Sequence, residues 1–522
     1  MGPVYACFWY DTEDFLHPAA DDAALRLADL HTHYGVPATF KVVGEVARAL
    51  TDRGRRDVIE ALARHDIGYH SDLHSAHPCV SEYCEPLSWE HGEALFRRLE
   101  SQGYHDVQAV FGKPCSTFGQ AGGAWAPQIY PVLRQWGVPT YVDEGPWVGL
   151  RQAPFWYMGL LHVFGLGPNR LRFALGEPGA ELDAVALFHA AARRLAKADG
   201  GLLSIYFHPN EWVSDVFWDA VNFAGGHNPG ERPVVVQHLA SSASDRRPDV
   251  RMAYDCVSSL AVQPAEQERR FAAMGTFLHQ VALADVSGVT CADLPRLYPD
   301  QALHGFVGRN EVLDATARWD DEVSFVRVER GWLSAGELLL AVCDLLTGVE
   351  GLAPGVGRRV ARPVSVDGPR ADVPPLERPV EVPFSSLAAA ATRLHVACLT
   401  GDREPVVAEV DLDWPGGLAP VEPLPLRAAR PLPAGVWVGP LEVRPEEFLL
   451  GCLRALRSLA VHGEPPGLVE LRPTRFAPAD YVTDAPDSFR WACFPEDFRA
   501  PRLVAHARRQ AWTLKPAVLA LA

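Results

Sequence analysis

Through the first half of the chain, short apolar runs of strand length alternate with longer stretches whose apolar residues recur at helical spacing. Val4-Tyr5-Ala6-Cys7-Phe8-Trp9-Tyr10 is apolar and aromatic without interruption, which predicts a buried strand. From Ala19 to Tyr34, Ala, Leu and His fall on one face and acids on the other, the pattern of an amphipathic helix. A second strand is expected over Ala38-Thr39-Phe40-Lys41-Val42-Val43, a helix from Gly44-Glu45 to Leu50 and another from Arg56 to Arg64. These deliver the chain to Asp66-Ile67-Gly68-Tyr69-His70. The order β, α, β, α, β predicts a parallel sheet covered by helices. The pattern continues with a helix from Pro127 to Trp136, a strand Thr140-Tyr141-Val142, a helix from Asp183 to Ala198, a buried strand over Gly201 to Phe207 and a helix from Glu266 to Leu283.

Beyond that point the texture changes. From Gly348 the chain is rich in Pro, Val and Arg, with turns every few residues. Two segments there resemble each other: Trp332-Leu333-Ser334-Ala335-Gly336-Glu337-Leu338-Leu339-Leu340-Ala341 and Val443-Arg444-Pro445-Glu446-Glu447-Phe448-Leu449-Leu450. Each reads as a capped or Pro-started helix with an acidic first turn and an apolar face. A pair of small α/β modules is therefore expected, linked by the Pro-rich stretch from Arg362 to Phe384.

A length of 522 residues suits two or three domains, and 48% hydrophobic with 22% charged residues is a globular composition. A formal net charge of -17 argues against a protein built to hold nucleic acid or an anionic membrane surface. No apolar stretch is long enough to span a bilayer, and the N-terminus lacks the basic start and apolar core of a secretory signal. Ten cysteines without paired spacing read as reduced thiols, so a cytoplasmic protein is expected.

Candidate chemistry collects where strands are expected to end. Asp11-Thr12-Glu13-Asp14 follows the first strand at once, in the place where α/β folds gather functional residues, although a solvated turn or helix cap has the same composition. His70 and His74 stand four residues apart, and on a helix both imidazoles would face one metal ion. Asp143 ends a strand, followed by Glu144-Gly145, and His208 ends the buried strand at 201–207. Gln120-Ala121-Gly122-Gly123-Ala124-Trp125 is Gly-rich and aromatic, suited equally to a loop lining a pocket with Trp125 as its wall and to a turn with one packed Trp. Trp212, Trp218, His227 and Asn228 crowd another candidate wall.

In this combination the strand ending in Asp11-Thr12-Glu13-Asp14, the segment Pro37 to Gly44 and the block Ile67-Gly68-Tyr69-His70-Ser71-Asp72-Leu73-His74 resemble the polysaccharide deacetylase family, the NodB-homology or carbohydrate esterase family 4 domain. The resemblance covers the chain to about Val289. It implies a distorted (β/α) barrel over 1–295, with 296–522 left as the C-terminal region of small α/β modules. It further implies a divalent metal ion, zinc by its ligand types, held by His70, His74 and one carboxylate, either Glu13 or Asp14. Asp11 would be the base and His208 the acid, with Trp125 and Asp143 at the substrate. Where the family carries an arginine that orients the base, this chain reads Val110-Phe111-Gly112-Lys113-Pro114; Lys113 or Gln120 can substitute only in part, since a lysine lacks the planar fork that holds a carboxylate in two places.

The expected activity is removal of an N-acetyl group from a sugar or glycan precursor. A carbohydrate is the expected partner. Two other readings accompany it: opening of a cyclic amide, as in allantoinase-like relatives, and a carbohydrate-binding relative that has lost turnover.

Overall fold

The computed structural model describes residues 2–143, 147–229, 235–236, 249–250, 261–300, 303, 305–347, 360–400, 430–483 and 491–520. The first apolar run forms strand β1 (Val4–Thr12), an inner strand of an eleven-stranded sheet. Parallel partners flank it: β2 (Thr39–Val42) and then β3 (Asp66–Tyr69), β4 (Thr117–Phe118) and β5 (Thr140–Asp143) on one side. On the other side runs β9 (Gly201–Phe207), with the strand Ser287–Val289 also paired to β1. The hairpin of β6 (Phe155–Tyr157) and β7 (Leu160–Phe164) extends the β5 side, and β8 (Arg170–Leu171) edges β9. The sheet curls without closing, which gives the covered parallel sheet that the strand order predicts the form of the distorted (β/α) barrel that the resemblance implies.

Helices Pro18–Tyr34, Gly44–Asp52 and Arg56–Leu62 fall where the periodicity places them. Helix Trp89–Phe111, which the pattern above does not single out, buries Leu95, Phe96, Leu99, Tyr104 and Val107 against the same core. Because the central strands are parallel, their C-terminal ends share one edge of the sheet. In register Asp11 lies beside Lys41 and Lys41 beside Gly68, which brings the ends of β1, β2 and β3 level. That edge carries the site.

The C-terminal region repeats one plan twice. Strand Val307–Gly308, helix Arg309–Ala315, a hairpin of 326–328 with 331–333, helix Ala335–Leu346 and strand Val360–Ala361 form one unit, its last strand paired to its first. The second unit has the same order: Val380–Pro383, Phe384–Thr400, a hairpin of 436–438 with 441–443, Pro445–His462 and Leu468–Leu471, again closing on its first strand. In each, the glutamate at the third helical position accepts from the backbone N–H of the cap residue: Glu337 from Ser334, Glu447 from Arg444. Their apolar faces share one buried cluster.

Two departures matter for the site. The Pro-rich stretch is not a free linker, because Asp367 receives a two-pronged bond from Arg134 at 2.7 and 2.8 Å and docks on the first region. The last residues also return to it. Helix Pro501–Gln510 packs Leu503 and Ala507 into the first core, and Lys515–Pro516 pairs with the open edge of β6. An unpaired strand edge is thereby covered from within the chain. Among the described residues, no helix is long and apolar enough to cross a membrane.

Candidate active site

Asp11 and Glu13, two residues apart at the end of β1, face the same side of the sheet, as strand alternation requires. Glu13 turns to the histidines: its Oε2 lies 3.1 Å from His70 Nε2 and 2.8 Å from His74 Nε2. Its Oε1 accepts from Trp218 Nε1 at 2.8 Å. Asp14 does not join them. Its carboxylate accepts from the backbone N–H groups of Leu16 and His17 at 3.0 and 3.1 Å and pairs with His17 Nδ1 at 2.9 Å. The strand ends at Thr12, just before Glu13, and Asp14 is spent on organising the turn ahead of helix Pro18–Tyr34. Of the two carboxylates left open by the sequence, Glu13 is the one that meets both histidines.

The histidines are not on a helix. His70 directly follows β3, and the chain then turns through Ser71 and His74, whose φ angles are 66° and 50°. The i, i+4 spacing therefore works through a tight irregular turn, which brings the two rings to 5.2 Å between centroids. The carbonyl of Gly119 accepts from His70 Nδ1–H at 3.1 Å, which leaves the Nε2 lone pair facing Glu13.

Asp11 is held by a cation that the sequence pattern does not flag. Lys41, fully buried on β2, places its Nζ 2.8 Å from Asp11 Oδ1 and 3.4 Å from Asp143 Oδ2, and donates to the carbonyl of Val142 at 2.9 Å. Two glycines make room for this side chain as it crosses β3 and β4. A Cβ on Gly68 would meet Lys41 Cγ at 2.9 Å, and one on Gly119 would meet Nζ at 2.1 Å. Burial opposes the ammonium, but Asp11 and Asp143 outweigh it and raise the lysine above its ordinary value. The lysine expected in this role, Lys113, donates instead to the carbonyl of His65 at 2.7 Å. Gln120 does not reach Asp11 either; its side chain accepts from Tyr141 Oη at 3.2 Å, while its backbone N–H donates to Asp143 at 2.9 Å.

His208 stands across from Asp11, with Nε2 3.6 Å from Oδ2, and its Nδ1 lies 2.9 Å from Glu211 Oε1. Burial alone would lower the imidazole, yet Glu13, Glu211 and Asp11 together push it up to about 9. Glu13 shows the converse. Burial works to raise its carboxyl, while the charges that His74 and His208 carry when protonated, with the approach of His70, hold it well below the usual range.

Trp125 is not a pocket wall. It is fully buried, stacks on Trp147 at 5.6 Å and donates its Nε1–H to Tyr130 Oη at 3.0 Å. Trp212 likewise belongs to the core, stacked on Phe271, and Asn228 holds both the N–H and the C=O of His77. Asp143 joins the site through Lys41, and one of its carboxylate oxygens lies within 4.8 Å of ligand atoms of Asp11 and His70; Glu144 and Gly145 lie outside the described residues. Three residues join the group without a warning in their local sequence: Ser75, Asp219 and Trp491. Ser75 Oγ lies 2.8 Å from His74 Nδ1, and Asp219 lies beyond it.

Glu13, His70 and His74 are all buried, and one ligand atom from each falls within 4.8 Å of the other two. His74 Nε2 approaches Glu13 Oε2 without hydrogen-bond alignment, a meeting of electron-pair donors that a cation between them reconciles. Two imidazole nitrogens and a carboxylate oxygen fit a divalent first-row ion.

No family model matches the chain, and no curated protein matches it in sequence. Among solved structures, a protein from Mycobacterium smegmatis assigned as a polysaccharide deacetylase is similar over 57% of this chain and 93% of its own, at 14% identity and a TM-score of 0.33. The carbohydrate esterase family 4 domain of a multidomain xylanase from the hindgut metagenome of Trinervitermes trinervoides is similar over 56% and 91%, at 12% identity and a TM-score of 0.29. A family 4 pseudoenzyme from Bacillus anthracis is similar over 40% and 55%, at 12% identity and a TM-score of 0.23. At these scores the likenesses do not carry a functional reading, which rests on the geometry of the site.

Proposed function

We propose that the protein is a metal-dependent hydrolase that removes an N-acetyl group from a sugar or glycan precursor, in the cytoplasm. The observation that carries this reading is the convergence of Glu13, His70 and His74 within reach of one ion, with Asp11 and His208 facing each other beside them. When bound by that trio, a divalent ion, zinc in this reading, supplies Lewis acidity toward the acetamide carbonyl and toward water.

The chain's own residues do the rest. Lys41 and Asp143 hold Asp11 in one orientation, with its Oδ2 toward His208 and the reacting space. Asp11 takes a proton from water as the carbonyl carbon is attacked. His208, raised to about 9, is protonated at neutral pH and gives its proton to the departing amine nitrogen. Trp218 fixes Glu13 through Oε1, which keeps Oε2 aimed at the histidines.

The test is acetate release from N-acetylated sugar oligomers by protein stripped with a chelator and reloaded with zinc, with allantoin as a parallel substrate. Acetate release that follows zinc loading is expected, and His208→Ala should lower it about 10²–10⁴-fold. A protein that binds no zinc, or a His208→Ala variant as fast as the parent, would overturn the assignment.

A further inference from the structure

We infer that Asp219 and Trp491 are positioning residues for His74, so that a segment near the C-terminus completes a site otherwise built by residues from Asp11 to Asp219. This rests on the metal-binding reading above. Asp219 is fully buried, and its Oδ2 accepts two hydrogen bonds, from Ser75 Oγ–H at 2.7 Å and from Trp491 Nε1–H at 2.7 Å. A hydroxyl has one proton to give. With that proton on Asp219, Ser75 meets His74 only with a lone pair, so the 2.8 Å contact is a donation from His74 Nδ1–H. The Nε2 lone pair is then the one that faces Glu13, the arrangement a metal-ligating imidazole needs. His74 thus receives through Asp219 and Ser75 the orientation that His70 receives from the Gly119 carbonyl.

The path is packed closely enough to leave few alternatives. Gly122, at φ 53°, lies against it, and a Cβ there would stand 2.6 Å from Ser75 Oγ and 3.4 Å from Asp219 Oδ2. Trp491 belongs to a segment fastened to the same loops. Gly225 N–H donates to the Ala492 carbonyl at 2.9 Å, Gly226 N–H to the Cys493 carbonyl at 2.7 Å, and Cys493 Sγ approaches the Gly122 carbonyl at 3.6 Å. Its ring also meets the edge of Phe217 at 5.1 Å, and Phe217 in turn meets His208 at 4.8 Å. The tryptophan therefore reaches the metal side of the site through Asp219 and Ser75, and the acid side through Phe217 alone.

The test measures zinc affinity by competition with a chromophoric chelator, in the full-length parent and in Asp219→Asn and Trp491→Phe. Asparagine offers Ser75 an N–H, so the hydroxyl can turn to His74 and move the ring proton to Nε2; affinity should fall about 10–100-fold. Phenylalanine keeps the ring packing and removes one donor, and a loss of about 3–10-fold is expected. Cobalt-substituted protein supplies a second readout, since a misplaced His74 changes the d–d absorption while a general loss of stability does not. Unchanged affinity and unchanged cobalt spectra in both variants, with zinc bound tightly by the parent, would overturn this inference and leave the metal reading standing. A parent that binds no zinc would overturn both.

Discussion

Two lysines are buried among the described residues, each between two carboxylates, and they have different fates. In the barrel, Lys41 Nζ lies 2.8 Å from Asp11 and 3.4 Å from Asp143 and sits 4.1 Å over the Trp9 ring. At the junction with the C-terminal region, Lys515 Nζ lies 2.7 Å from both Asp300 and Glu337. The second group is saturated. Glu337 gives both oxygens to the lysine, and Oε2 also caps the helix Ala335–Leu346 through Ser334 N–H. The first is not, because Asp11 faces His70 at 3.7 Å and His208 at 3.6 Å as well as its lysine. A buried cation between carboxylates is thus no signature of chemistry by itself. What separates the two is whether the carboxylate still faces groups that exchange protons.

The comparison can be broken most sharply at the acids. Asp11→Asn should lower acetate release by about 10²–10⁴-fold with little change in zinc content, whereas Asp300→Asn should leave the rate per folded molecule unaltered. Steady-state rates normalised to folded protein decide it, and equal losses would erase the distinction. Next come the lysines themselves. Lys41→Met and Lys515→Met each strand buried carboxylates and should cost about 3–5 kcal/mol in denaturant unfolding. Only Lys41→Met should also lower turnover by the molecules that remain folded.

The pH dependence sharpens the barrel side. His208 must carry its proton to serve as an acid, so activity should be present below its value and lost as pH rises through about 9, or somewhat lower with a dication beside it. In a pH profile of kcat, His208→Ala should abolish that falling limb. The smallest effect belongs to the C-terminal repeat. Glu446, buried at the start of helix Pro445–His462, is pushed up to about 7 by burial, against the pull of Arg444. The folded state then holds a proton that the unfolded state releases near pH 4.5, so stability should fall as pH rises from about 4.5 to 7. Glu446→Gln should flatten that slope, by about 1–3 kcal/mol over the interval, in chemical denaturation at several pH values.

The local sequence alone determined the parallel α/β order and, with it, the placement of Asp11, Glu13, His70, Asp143 and His208 at one edge. Hydrophobic periodicity is a property of neighbouring residues, and a parallel sheet then aligns every strand end without further instruction. The duplicated capped helices were legible for the same reason, through their repeated acidic first turns at Glu337 and Glu447, whereas the hairpin ahead of each was not. Lys41 left a trace: it is the lone charge in an apolar strand, though nothing local says which carboxylate it serves. Tertiary structure decided what depends on partners distant in the chain. The choice of Glu13 over Asp14 follows from a turn claimed by His17 and from histidines 57 and 61 residues away, by the residue numbers of His70 and His74 less that of Glu13. Trp125 went to the core because Trp147 and Tyr130 enclose it. The link from Trp491 to Asp219 spans 272 residues, and no spacing rule encodes a hydrogen bond that exists only once two such distant segments have packed together.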